Sequence, residues 1–237
     1  MSLRAGAVAA IALVGGGPAS GADLTPPVGA SAMAPAPWRF AGLPGKTKPA
    51  THFDVVTLDG LRVLRVEADH SYGNLLHPLP AATPAGTLSW RAQVALPLQG
   101  ADLTTRRGDD AALRVCALFD LPLGQVPLLE RQLLRLASRR VGEALPTATL
   151  CYVWDATLAP GSVVVSPYTR RVRSIVVHSP PGQWQTERHD LHIDFLRVFG
   201  DEALRVPAVT AILIGADADN TASRSVAHVS EIQHTAP

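Results

Sequence analysis

The sequence predicts an all-β protein, an antiparallel sandwich or jelly roll carrying one inserted amphipathic helix. Short runs that alternate apolar and polar residues recur along the chain, bounded by Gly, Pro, Asp and Asn; this is the period of a half-buried strand. Between them only one stretch has helical spacing, so the helices that a parallel α/β sheet needs between successive strands are missing. Composition agrees. Of 237 residues, 47% are hydrophobic and 17% charged, a globular balance that excludes disorder over most of the length.

The chain opens MSLRAGAVAAIALVGGGPASGAD, with Arg4, an apolar run from Ala5 to Val14 and small residues ending in Ala22. Charge, short apolar core and small-residue cleavage site, in that order, predict a secretory signal over residues 1–22. The apolar run is shorter than the roughly 20 residues a membrane span requires, and no later run is longer. A periplasmic or secreted protein without a membrane span is the expectation. Residues 23–50 are rich in proline and small residues, a lead-in unsuited to a regular ladder. Residues 51–237 then read as a single β domain.

Within that domain, HFDVVTLDGLRVLRVEAD is a hairpin turning at Asp59-Gly60, and TLSWRAQVAL, ALRVCALFD, TLCYVWD, SVVVSP, VRSIVVHS, VTAILIGAD and SVAHVSEIQH follow as strands. The exception is VPLLERQLLRLASRRVGE, residues 126–143. There Leu129, Leu133, Leu136 and Val141 keep helical spacing while Arg131, Arg135 and Arg139 occupy another face. Such a helix either lies over a sheet edge with its arginines in water or meets a membrane surface or partner.

Lys plus Arg number 21 and Asp plus Glu 20, a net charge of +1, so the basic excess of a dedicated nucleic-acid binder is absent. No G-x-S-x-G, H-E-x-x-H, G-x-G-x-x-G or C-x-x-C occurs. The string G-L-P-G-K-T at Gly42 to Thr47 is two residues short of a phosphate loop and reads as a turn. Cys116 and Cys151 each sit in a strand-like run; they are either a disulfide, if those strands are neighbours in register, or two buried thiols.

Three polar constellations could carry chemistry. Asp109 and Asp110 follow Gly108 and precede a strand in which Arg114 can pair with an acid. Asp217, Asp219 and Asn220 follow the apolar strand VTAILIG; with distant carboxylates such as Asp109 they could hold a hard cation such as Ca²⁺, which wants six to eight oxygens. Asp190, His192 and Asp194 alternate, and in an extended chain all three point the same way, as an acid/base set would need. Each also has a plainer reading as turn formers or a solvated row. Trp38, Trp90, Trp154 and Trp184 can stack on sugar rings or fill a sandwich core.

With Trp90, Gly108-Asp109-Asp110 and Arg114, Phe119-Asp120, Tyr152-Val153-Trp154, Trp184, Asp190, Asp194, Phe199-Gly200, and Asp217 with Asp219-Asn220-Thr221 in order, the chain resembles bacterial proteins catalogued as domain of unknown function 3047. Asp59-Gly60 and the run Ser71 to Leu75 add to the likeness, which covers residues 38–233. The resemblance implies an exported protein with a sandwich similar to galactose-binding or carbohydrate-binding modules, and implies no activity. Cys151 before Tyr152 departs from the family pattern.

The leading expectation is an extracytoplasmic, non-catalytic module in which Asp109, Asp110, Arg114, Asp217, Asp219 and Asn220 bind a carbohydrate-like or cell-envelope ligand, or a cation through Asp109, Asp217 and Asp219, with no organic cofactor. A hydrolase or lyase acting on an envelope polysaccharide, through Asp190 or Asp194 with His192 or His189 as acid and base, is the alternative. A purely structural envelope protein is the third.

Overall fold

The computed structural model describes residues 24–42, 48–141, 145–203 and 205–237; the export signal expected over residues 1–22 lies outside them. In chain order the elements are β1 (Arg39–Ala41), β2 (His52–Leu58), β3 (Leu61–Asp69), β4 (Tyr72–Thr83), β5 (Thr87–Leu96), β6 (Arg114–Phe119), α1 (Leu128–Val141), β7 (Ala148–Trp154), β8 (Val163–Val165), β9 (Val172–Val177), β10 (Gln185–Asp190), α2 (Leu191–Phe199), β11 (Val209–Asp217) and β12 (Arg224–Thr235).

The strands form a seven-stranded sheet, ordered β1-β4-β11-β6-β7-β9-β8, and a five-stranded sheet, ordered β10-β5-β12-β3-β2. All neighbours are antiparallel except β7 and β9. The fold is therefore the two-sheet, jelly-roll-like sandwich that the alternation predicts, and Asp59-Gly60, both at positive φ, make the expected tight hairpin between β2 and β3.

Alternation decides which side chains meet between the sheets. Leu64, Val66 and Ala68 of β3, Leu88, Trp90, Ala92 and Val94 of β5, and Val115, Ala117 and Phe119 of β6 all enter one core with Leu150, Tyr152, Ile212 and Ile214. The intervening residues of β6 and β7 face outward. There Cys116 stands opposite Cys151 in register, and the two form a disulfide within a second apolar layer that includes Leu118 and Ala211.

Three features depart from the sequence reading. The proline-rich lead-in is tied to the sandwich: Leu24 and Trp38 are buried in the core, Ala32 accepts from Val55 N–H, and Arg39–Ala41 pairs with β4. Burial of Trp38, whose indole N–H reaches Thr25 O at 2.6 Å, anchors a segment that turn chemistry alone would leave free. The inserted helix, expected over residues 126–143, starts at Leu128 and is described as far as Val141. A second helix, α2, occupies the stretch whose alternation reads as extended.

Helix α2 begins where Asp190 ends β10. The Asp190 carboxylate accepts from the N–H groups of His192 and Ile193 at 2.9 and 3.0 Å, capping two of the helix's unpaired donors. Leu191, Phe195, Val198 and Phe199 then return at helical spacing to the core. Both helices are pinned by a buried ion network. Arg171 pairs with Glu130 of α1 and, at 2.6 Å, with Glu202 just beyond α2; Arg173 pairs with Glu202 and Asp201 while its guanidinium lies 4.4 Å from the Phe199 ring centre. No helix among the described residues is long and apolar enough to cross a membrane.

Candidate functional site

Two segments more than 100 residues apart meet at one end of the seven-stranded sheet, on its outer face. The first follows the close approach of Gly108 to Asp102, where a Cβ would come within 2.7 Å of the Asp102 nitrogen, and supplies Asp109, Asp110 and then Arg114 of β6. The second is the end of β11 with its following turn, Asp217, Asp219, Asn220 and Thr221. Adjacency of β6 and β11 forces the meeting.

Asp110 is the hub. One of its oxygens accepts from Asn220 N and Nδ2 at 3.1 and 3.2 Å, the other from Thr221 N and Oγ1 at 2.7 and 2.6 Å. Asp217 accepts from Ala111 N at 2.7 Å and pairs with Arg114. Burial pushes the Asp217 carboxyl up to about 6, against the opposing pull of Arg114 and the Ala111 N–H. Gly215 leaves room for this arrangement, since a Cβ there would fall 2.2 Å from Asn74 Oδ1 and 3.2 Å from Arg114 Nε.

Around that buried floor lies a more open rim. Asp109 accepts from Ser166 Oγ at 3.3 Å through one oxygen, and burial raises its carboxyl despite the nearby Arg114. Asp219 meets Lys48 at 3.3 Å. The Tyr168 hydroxyl is 2.9 Å from Arg106 O and 3.3 Å from Asn220 Oδ1, and Arg114 lies 5.6 Å from the Tyr72 ring centre. Arg114 Nε is buried without a hydrogen-bond partner among the described residues. A small, largely enclosed cavity of about 40 Å³ lies between Asp109, Arg114 and Cys151.

All six residues expected to bind ligand thus belong to one neighbourhood. Arg114 pairs with Asp217 rather than with an acid of its own segment. Oxygens of Asp110, Asp217 and Asp219 lie within 4.8 Å of one another, yet those of Asp110 and Asp217 already accept N–H, O–H and guanidinium donors. A cation would have to displace those donors.

The Asp190, His192, Asp194 set does not assemble. Asp190 is spent on the cap, His192 is exposed, and Asp194 turns inward to accept from Tyr152 Oη at 2.8 Å; one helical turn separates what an extended chain would align. Of the residues named for that alternative, His189 and Asp194 do meet, and Glu187, which its alternation with His189 along β10 could have signalled, joins them. His189 reaches Glu187 Oε2 at 3.0 Å through Nε2 and Asp194 Oδ2 at 3.5 Å through Nδ1. Its ring stacks on Tyr152 at 3.9 Å between centres and on Trp90 at 5.3 Å. Burial opposes the His189 charge, but Asp194 and Glu187 outweigh it and raise the imidazole. Asp194 is held below its ordinary value by His189 and Tyr152, although burial works the other way. The cavity beside this group, lined by Trp90, Trp154 and Glu187, measures about 20 Å³, room for little more than a water. Trp38, Trp90 and Trp154 are core residues; Trp184 is half-buried under Arg91.

Among solved structures, the chain is similar to a native family 12 xyloglucanase from Bacillus licheniformis, at 8% identity and a TM-score of 0.42, over 84% of this chain and 100% of that one. It is similar to the xyloglucanase domain of NopAA from Sinorhizobium fredii, at 10% identity and a TM-score of 0.43, over 85% and 99%. A cellulase derived from Cel12A of Rhodothermus marinus gives 11% identity and a TM-score of 0.41, over 84% and 96%. Residues are not transferred across likenesses of this size. No curated protein matches the chain. The model of one family, described as "Protein of unknown function (DUF3047)", matches residues 36–233, and the chain belongs to that family.

Proposed function

We propose that this is an extracytoplasmic, non-catalytic binding module that takes a hydroxyl-rich, carbohydrate-like ligand on the outer face of its seven-stranded sheet. One observation carries the reading. The rim over the buried Arg114–Asp217 pair presents hydrogen-bonding capacity of both signs, the second oxygen of Asp109 and the exposed Lys48 ammonium beside Asp219, near the rings of Tyr72 and Tyr168. Vicinal hydroxyls donate and accept at once, so a carboxylate near an ammonium matches them, and a tyrosine ring offers an apolar wall for a sugar face. The cavity of about 40 Å³ is too small to engulf a ligand, since sites that do so run to roughly 300–1,000 Å³, and this favours a ligand resting on the rim.

Calorimetry against a panel of soluble polysaccharides and oligosaccharides tests the proposal. Binding by the wild type that Asp109→Ala removes, with the melting temperature retained, supports it; heats indistinguishable from buffer across the panel overturn it.

A hydrolase reading has its specific support in Glu187, His189 and Asp194, a carboxylate-imidazole group next to a tyrosine. In that reading labelled polysaccharide is cleaved by the wild type and not by Glu187→Gln. The engagement of both His189 nitrogens and the small adjoining cavity favour binding instead.

A further inference from the structure

Helix α1 holds its leucines in water. Leu134 is the one that packs against the core, while Leu128, Leu129, Leu133 and Leu136 are 67, 74, 57 and 48% exposed. Leu129, Leu133 and Leu136 stand four and three residues apart, along one flank of the helix. Leu129 and Leu133 border a groove of about 580 Å³ between α1 and the 166–172 segment, whose far wall includes Leu145, Pro146 and Val172. The next flank carries Arg135 and Arg139, both exposed, while Arg131 is half-buried and donates to Gly124 O and Val126 O. Glu130 is the only acid of the helix, and it is turned inward to Arg170 and Arg171. The solvent side of α1 is thus apolar on one flank and basic on the other, with no carboxylate of its own to neutralise it.

We infer that α1 rests in the interfacial plane of an anionic lipid bilayer, its leucine flank among the acyl chains and its arginines on the phosphates. Apolar area beside uncompensated Arg is the combination that binds such a surface. At 14 residues the helix is about 21 Å long, enough to lie on a bilayer and too short to cross one. A second copy fits the same face less well, because a two-fold contact sets a patch against itself and would bring the basic flank of one copy against that of the other. The ion pairs from Glu130 hold the helix on the body so that the whole domain docks with it.

Sedimentation of the full chain with vesicles tests this inference, using phosphatidylcholine alone and phosphatidylcholine mixed with phosphatidylglycerol. The wild type is expected to partition onto the anionic vesicles and to be released by salt. Arg135→Gln with Arg139→Gln should lower anionic-vesicle affinity on the order of thirtyfold; Leu129→Gln with Leu133→Gln should lower it as well. All variants carry the same N-terminus, so the apolar run Ala5 to Val14 contributes equally to each. The altered side chains are exposed, and an unchanged melting temperature confirms that the fold is kept. Equal binding to both vesicle types, or wild-type partitioning by both variants, overturns the inference. So does a dimer in light scattering that Leu133→Gln dissolves, which assigns the face to a second copy.

Discussion

Ala111 donates its backbone N–H to Asp217 Oδ1 at 2.7 Å, across 106 residues of chain. That bond ties the segment entering β6 to the end of β11, and everything proposed for the polar rim rests on a floor so fixed. Floor and rim are separable. Asp217 is buried and compensates Arg114, whereas Asp109 accepts one bond, from Ser166, and its other oxygen has no partner among the described residues.

Asp217→Ala therefore leaves the Arg114 guanidinium without its partner and should destabilise the fold by about 3 kcal/mol. Asp109→Ala should cost about 1 kcal/mol or less. Urea unfolding of the two variants, compared at equal m-value, checks the difference.

The His189 group predicts a pH window. Its imidazole is raised in the folded state above the ordinary 6.5, so its contribution is complete below that value and is lost as pH rises through the folded value. Asp194 is lowered beneath 3.8, so its contribution is present above 3.8 and is lost as pH falls through the folded value. Between 3.8 and 6.5 both act. The stability gap between wild type and His189→Gln should be widest in that interval and narrow on the alkaline side. Thermal melts across pH measure it; a gap that widens with rising pH contradicts the assignment.

Asp190→Ala removes a cap from α2 and should cost about 1 kcal/mol. His192→Ala, at an exposed position, should stay within about 0.5 kcal/mol. Neither should alter polysaccharide binding. Loss of binding in His192→Ala with stability unchanged would return that residue to the site.

The strands were legible because burial between two sheets imposes a period of two on β3, β5 and β6, and Asp59-Gly60 is a pair that readily takes the positive φ its turn requires. The meeting of Asp110 with Asn220 and Thr221 was visible as two polar segments flanking apolar strands, but the adjacency of β6 and β11 that joins them is a property of sheet order, which periodicity does not encode. Asp190 to Asp194 misled for a local reason. Asp-Leu-His-Ile-Asp alternates like a strand, while the deciding spacing, Leu191 to Phe195 to Val198 and Phe199, appears only over a longer window. The lead-in reads as linker from its prolines, although a single buried Trp38 suffices to hold it down.

The in-register pairing of Cys116 with Cys151 settles a question that spacing leaves open. Their separation of 35 residues gives a loop-closure stabilisation of about 3 to 4 kcal/mol. The double variant Cys116→Ala, Cys151→Ala should lose that amount in urea unfolding, and reducing agent should leave its unfolding midpoint unmoved while lowering that of the wild type.

The most direct measurement is an amide correlation spectrum of the isotope-labelled protein during titration with a mixture of cell-envelope oligosaccharides. Shifts gathered at Gly108 to Arg114, Tyr168 and Asp217 to Thr221, and absent in Asp109→Ala, are the predicted result. Shifts confined to Glu187, His189 and Tyr152, or an unperturbed spectrum, would contradict a ligand site on the outer face of the seven-stranded sheet.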